Sequence, residues 1–215
     1  MREVNRNLFR YARSVGSQLP LVGAVPAERA DAARNREKIL KAAAQLMAEH
    51  GPEGLAMDDV AALAGVGVGT IYRRFGDRAG LAQALLDRAE QRFQAGFLHG
   101  PPPLGPGAPA DQRLRAFLHA YVDRLTDEAP LLLIAETNTP MARFTNGAYA
   151  LHHAHLMGLI AELRPDADAV YLADALLAPL AAAVFLHQRA GHRMHPERIK
   201  AGIDGLLIGQ LDRLS

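Results

Sequence analysis

Residues 60–75, V-A-A-L-A-G-V-G-V-G-T-I-Y-R-R-F, constrain this chain more than any other stretch. The apolar spacing predicts a short helix over 58–64, with Val60, Ala61, Leu63 and Ala64 turned inward. Gly65-Val66-Gly67 ends it, because glycine takes the positive φ of a tight turn that side-chained residues resist. A second short helix is predicted over 68–75. It buries Ile71 and Phe75 at i, i+4 and leaves Thr70, Tyr72, Arg73 and Arg74 facing elsewhere. Neither helix is long enough to be stable alone, so both need a scaffold.

Helix, Ala-Gly-Val turn, helix is the helix-turn-helix layout, whose second helix enters the major groove of DNA. A short helix carrying a threonine, a tyrosine and two arginines suits that place. The run G-V-x-x-G-T-I-Y-x-x-F-x-x-R, preceded at the right distance by the Ala-rich segment R-E-K-I-L-K-A-A-A-Q-L-M, is far more specific than a glycine turn. On these motifs residues 36–81 resemble the DNA-binding domain of the tetracycline-repressor (TetR) family of bacterial transcriptional regulators. Three positions depart from the family pattern. Ala56 stands where a Thr or Ser usually caps the helix before the turn, Gly67 replaces the usual serine at the start of the reading helix, and Val68 replaces a polar or basic residue. The fold is expected to tolerate all three, with Asp58 and Asp59 offsetting part of the lost cap through the helix dipole.

The DNA-binding residues expected are Gly67, Val68, Gly69, Thr70, Tyr72, Arg73, Arg74 and Arg78. Tyr72, Arg74, Thr70 and Arg78 are expected on phosphate, and Val68, Gly69 and Arg73 nearest base edges. The role of Arg78 comes from the resemblance, and a cation in the first turn of its helix opposes the dipole unless an outside anion meets it.

At 215 residues the chain can bury a full core. It has no cysteine, which excludes disulfides, thiol catalysis and Cys-ligated zinc and fits a reducing cytoplasm. A formal net charge of +1 argues against nonspecific coating of nucleic acid. No apolar run has the length of a membrane span. Alanine and leucine dominate without β-branched alternation, so the fold class expected is all-α.

Three domains are expected. Residues 1–33 carry five arginines against three acids and a Pro/Gly-punctuated link, and read as a flexible basic extension, either an arm on DNA or a disordered leader. Residues 34–77 form the three-helix head, with a scaffold helix over 32–50 that buries Ile39, Ala43, Leu46 and Met47 and stops at Gly51-Pro52. Residues 78–215 form a larger helical body. Asp77 caps its first helix, which carries Leu81, Leu85, Leu86 and Phe93. A stretch over 99–110 with five prolines and three glycines is a loop. Further helices are expected over 111–128, 131–138 (started by Pro130), 141–163, 166–190 with a kink at Pro179, and 196–214.

An enzyme reading has little to work with. The only serines are Ser14, Ser17 and Ser215, so no buried Ser–His–acid triad is possible, and no phosphate-binding glycine fingerprint is present. His152-His153-x-His155 is the one candidate metal site, alone or with Glu136, but three histidines in four residues of one helix diverge. No cofactor and no metal are expected. The expected effector pocket has Phe117, Tyr121, Phe144 and Met157 as apolar walls, with Asn138 and His152 orienting the ligand. Because no arginine pair is expected there, the ligand is read as mostly apolar. The resemblance implies a homodimer through the last two helices, with Ala178, Ala181, Ala182, Ile203, Leu206 and Leu207 at the interface. Three readings follow: a dimeric regulator that binds palindromic operator DNA and is released by a small molecule, a metal-dependent enzyme or sensor built on His152 and His155, and an architectural DNA-binding module without ligand control.

Overall fold

The computed structural model of the chain describes residues 30–211. The basic extension expected over 1–33 lies outside the described residues, apart from 30–33, which open the first helix. In chain order the elements are α1 (Ala30–His50), a 3-10 turn (Gly51–Leu55), α2 (Met57–Ala64), α3 (Val68–Phe75), α4 (Arg78–His99), α5 (Ala110–Thr137), α6 (Ala142–Thr145), α7 (Gly147–Leu163), α8 (Ala169–Leu177), a second 3-10 turn (Ala178–Leu180), α9 (Ala182–Gly191) and α10 (Pro196–Leu211). The fold is all-α, a helix-turn-helix head followed by a larger helical domain.

The head follows its apolar spacing at most positions, but Leu63, expected inward, is 46 % exposed and Phe75 is only half-buried. Ile39 and Ala43 of α1, Leu55 of the first 3-10 turn, Val60 of α2 and Ile71 of α3 are fully buried in one cluster. Leu81 and Ala82 of α4 complete that cluster, and Leu131 and Ile134 of α5 pack against its edge. The head is thus seated on the body through two helices. Asp77 caps α4 as expected, its Oδ1 accepting from the Gly80 N–H at 2.8 Å.

In the body α5 is the central helix, with α4, α7, α9 and α10 packed on it. Phe97, Phe117, Leu118, Leu125, Leu156 and Leu177 are fully buried there. The Pro/Gly stretch 100–109 is the connection between α4 and α5, and its Leu104 packs on the body core.

Four sequence expectations are corrected. The helices read over 111–128 and 131–138 are one, because α5 runs through Pro130. An interior proline costs about 3 kcal/mol. Here the residues after it are held on two sides, Leu132 in the body core and Leu131 and Ile134 against the head. The helix read over 141–163 is divided into α6 and α7 at Asn146, whose side chain caps α7 by accepting from the Tyr149 N–H at 2.8 Å. The helix read over 166–190 is also divided into α8 and α9, while the kink expected from Pro179 is present: Ala169–Leu180, which ends in the 3-10 turn with Pro179, meets α9 at a bend of 43°.

The fourth correction concerns the dimer residues. Ala182 (0 % exposed), Ile203 and Leu207 are buried within the protomer, so they are already spent on its own core. Ala178 is exposed, Ala181 is half-buried and Leu206 is 52 % exposed. Among the described residues, the uncovered large apolar groups of the last helices are Leu206 of α10, one of those expected, together with Val170 and Tyr171 of α8 and Val184 of α9. An apolar groove of about 120 Å³ also lies between α5, α7, α8 and α10, with Leu163, Leu172, Leu176 and Leu206 on its walls. Among the described residues no single helix is long and apolar enough to cross a membrane.

Candidate nucleic-acid interface and buried polar cluster

The turn between α2 and α3 rests on one glycine. Gly65 adopts φ 65°, ψ 38°, and its N–H donates to the carbonyls of Ala61 and Ala62. Those values lie in the left-handed region that glycine tolerates and most residues do not. Gly67, expected to share that task, has φ −69° and ψ 139°, an ordinary extended residue at the N-cap of α3. Neither α2 nor α3 has a side-chain cap, as the replacements at Ala56 and Gly67 imply.

α3 is pinned by Ile71 (0 % exposed), while Val68 (38 %) and Tyr72 (51 %) stand out from the head. Gly67, Gly69 and Arg73 are exposed; Thr70 and Arg74 are half-buried. The helix therefore presents one continuous outer surface with two arginines in its last turn. Arg78 does not lie free on that surface. Its guanidinium donates through Nη2 to the Pro52 carbonyl, and its Nε is buried without a hydrogen-bond partner. That contact answers the unfavourable dipole position by fastening α4 to the first 3-10 turn. Arg36 is likewise engaged, 3.2 Å from Asp87, joining α1 to α4.

A second polar constellation lies inside the body, around Tyr121. Glu90, on the apolar stripe of α4, accepts through Oε1 from Gln94 at 2.7 Å and from His152 Nε2 at 2.9 Å. Its Oε2 is paired with Arg124. Arg124 also donates through Nε to Glu128 at 2.6 Å. On the other side of the cluster, Arg143 pairs with Glu136 and donates through Nη2 to the Leu177 carbonyl at 2.9 Å. The other oxygen of Glu136 accepts from the Ala182 N–H at 3.0 Å. The side chains of Arg124, Glu90, Arg143, Glu136 and His152 are each at most 10 % exposed. They surround a cavity of about 20 Å³ together with Tyr121, roughly the space of one water.

Burial pushes the Glu90 carboxyl up, but the His152 hydrogen bond and the Arg124 charge outweigh it and hold the group down at about 2. Burial lowers His152 against the pull of Glu90, so it is neutral and donates its Nε2 proton to that carboxylate. Burial also raises the Tyr121 phenol. The cluster is thus a set of fixed charges, each arginine already matched by a glutamate.

The structure gathers Phe117, Tyr121, His152 and Met157 in the body core. Asn138 and Phe144 are elsewhere. Asn138 is exposed at the end of α5 and donates to Asp77 Oδ2 at 3.0 Å, linking the body to the cap of α4. Phe144 is half exposed and packs edge-on against Tyr149. The expectation that no arginine pair reaches this region is corrected, since Arg124 and Arg143 both border the cavity. Sequence reasoning passed over both arginines and Glu90.

The three histidines part company. His152 binds Glu90, His153 contacts the Val170 carbonyl at 3.1 Å and Asp174 at 3.3 Å, and His155 lies against the rings of Phe97 and Phe117. Burial and then the Arg113 charge push His155 down to about 4. Among the described residues no group of three or more His, Cys, Asp or Glu side chains is placed to hold a metal ion, so the metal reading is not favoured.

Comparison with known proteins agrees with the head. Residues 39–85 match the family described as bacterial regulatory proteins, tetR family. An HTH-type transcriptional regulator of Staphylococcus aureus (strain USA300) is 38% identical over 60 residues, 28% of this chain and 32% of that protein. A second, from the bovine strain RF122 / ET3-1, is 36% identical over 69 residues, 32% and 37% of the two chains. The chain therefore spans about a third of the length of the curated relatives it matches.

Solved structures resemble it over most of its length. A TetR-like transcriptional regulator from Rhodococcus sp. RHA1 superposes with a TM-score of 0.55 at 20% identity, over 87% of this chain and 98% of that one. The fatty acid degradation regulator FadR from Bacillus halodurans does so with 0.58 at 20% identity, over 80% and 97%. At such identities the likeness is one of fold, and it extends the head's match into the helical body. By its helix-turn-helix motif and the family match, residues 39–85 form a DNA-binding head of the tetR family of bacterial regulatory proteins, and the all-helical fold of the described chain is like that of TetR-family structures.

Proposed function

We propose that the chain is a sequence-specific transcriptional regulator, a homodimer that represses by occupying palindromic operator DNA in the cytoplasm and leaves it when a small molecule binds the body. The observation that carries this is α3, a short helix anchored by Ile71 whose outer surface bears Val68, Tyr72 and Arg73. A two-fold dimer sets two such helices about 34–36 Å, or a multiple of it, apart. The exposed apolar groups of α8, α9 and α10, Val170, Tyr171, Val184 and Leu206, suit that association.

The effector site we propose is the cavity bounded by Glu90, Tyr121, Arg124, Glu136, Arg143 and His152. Buried charges are costly, and a core that needed only stability would do as well with apolar groups. A cluster of them around a cavity therefore favours a ligand role. Its arginines are each matched by a glutamate, so a polar ligand with both donors and acceptors fits better than the apolar one expected from sequence. The cavity is small, about 20 Å³, so a ligand larger than a water must favour a widened body; this shifts the population away from the operator-binding form. Glu136 and Asn138 share the end of α5, and the Asn138–Asp77 bond gives that opening a route to α4 and the head.

Selection of duplexes from a random pool tests the reading. Enrichment of an inverted repeat whose half-sites lie one helical turn or a multiple apart is expected. Enrichment of unrelated sequences, or of a motif without two-fold symmetry, contradicts it.

A further inference from the structure

Two glycines of the reading helix have no structural reason to be glycine. Gly65 needs its positive φ, and a Cβ on Gly80 would stand 1.9 Å from the Phe75 carbonyl oxygen. Gly67 and Gly69 differ from both. Neither has a positive φ, and a Cβ on either would meet no atom within 4 Å. Gly69 lies inside α3, where glycine is the least favourable residue after proline. Gly67 occupies an N-cap where a serine would supply a hydrogen bond that is absent here. The head would fold better with alanine at Gly69, and at the N-cap Gly67 serine would serve at least as well. What the pair provides is clearance on the outer surface of α3, on either side of Val68.

Val68 is itself unusual for that surface. It is 38 % exposed, β-branched and wholly apolar, one turn before the exposed Tyr72 and five residues before Arg73. It has no donor or acceptor to offer to guanine, cytosine or adenine. In the major groove the one apolar feature of a base edge is the thymine methyl. We propose that Val68 is a specificity-determining residue that packs on a thymine 5-methyl in each half-site, with Gly67 and Gly69 leaving room for the base edge to reach it. This rests on the DNA-binding reading above.

The test uses the full chain and an operator selected from random duplexes. Each thymine is replaced in turn by deoxyuridine, which removes the methyl group and leaves every hydrogen-bonding atom in place. One position per half-site is expected to weaken wild-type binding about four-fold, the worth of one buried methyl-sized group. In Val68→Ala, which keeps Tyr72, Arg73 and Arg74, that loss should disappear. Gly69→Ala supplies an arm of opposite sign: the thermal midpoint should rise while operator affinity falls. The proposal is overturned if no thymine is sensitive in the wild type, if Val68→Ala retains the same sensitivity, or if Gly69→Ala binds the operator undiminished. Failure of the wild type to enrich any duplex overturns the DNA-binding reading as well, and so is distinguishable from these outcomes.

Discussion

Glu90→Ala is expected to lower the stability of the folded chain by about 3–5 kcal/mol, the cost of breaking a buried ion pair by removing one partner. Without the carboxylate, the His152 Nε2 proton and one guanidinium nitrogen of Arg124 lose their acceptor in the core, while Glu128 continues to hold the Arg124 Nε. The pH dependence gives the effect a signature. Glu90 is held at about 2 in the folded protein against an ordinary value of 4.5. A group whose folded value is depressed contributes its stability above the unfolded value and loses it as pH falls through the folded one. For Glu90 the contribution amounts to about 3 kcal/mol. The wild type should therefore lose that much between roughly pH 4.5 and 2 that Glu90→Ala has already forfeited, and the two acid-unfolding curves should converge. Denaturant unfolding across that range checks it; parallel curves would mean that the Glu90 carboxyl titrates normally.

Ala182→Glu should unfold the protomer rather than divide a dimer. Ala182 is 0 % exposed at the start of α9 and its N–H already donates to Glu136. A glutamate there would bury an unpaired carboxylate beside an existing one, at a cost of several kcal/mol. Leu206→Glu is the contrasting change, since Leu206 is 52 % exposed on α10. Surface substitutions usually move stability by no more than about 0.5 kcal/mol. Leu206→Glu should therefore keep the protomer's helicity while light scattering reports the monomer's mass. A folded, monomeric Ala182→Glu would instead move the interface to α9, and a dimeric Leu206→Glu would remove it from α10.

What the chain disclosed without coordinates was local. Ile71 and Phe75 at i, i+4 and Gly65 after the Ala-rich turn set α2 and α3, because helix period and left-handed backbone are short-range rules. Asp77 was legible as a cap for the same reason. Pro130 misled, since the local rule ends a helix there and only contacts on both sides of α5 override it. Asn146 went unrecognised as a cap because apolar residues recur on both sides of it. Glu90 left a signal that was there to be used: it occupies the stripe Leu86, Glu90, Phe93, Phe97, where a carboxylate must find partners. Apart from Gln94 on the same helix, its partners are 34 and 62 residues away in sequence, and no periodicity announces them. Ala182 was misplaced because an alanine-rich helix, apolar nearly all round, does not declare which side is inner.

The central claim, that α3 reads DNA, is tested most directly by binding isotherms of Arg73→Ala and Arg74→Ala on the selected operator and on its single-base variants, over a range of salt concentrations. Arg73→Ala should lose discrimination at one base position, worth about 1–3 kcal/mol, while still distinguishing the others. Arg74→Ala should weaken every sequence alike and reduce the salt slope by about 1. Wild-type affinity, discrimination and salt slope in both variants would contradict the account.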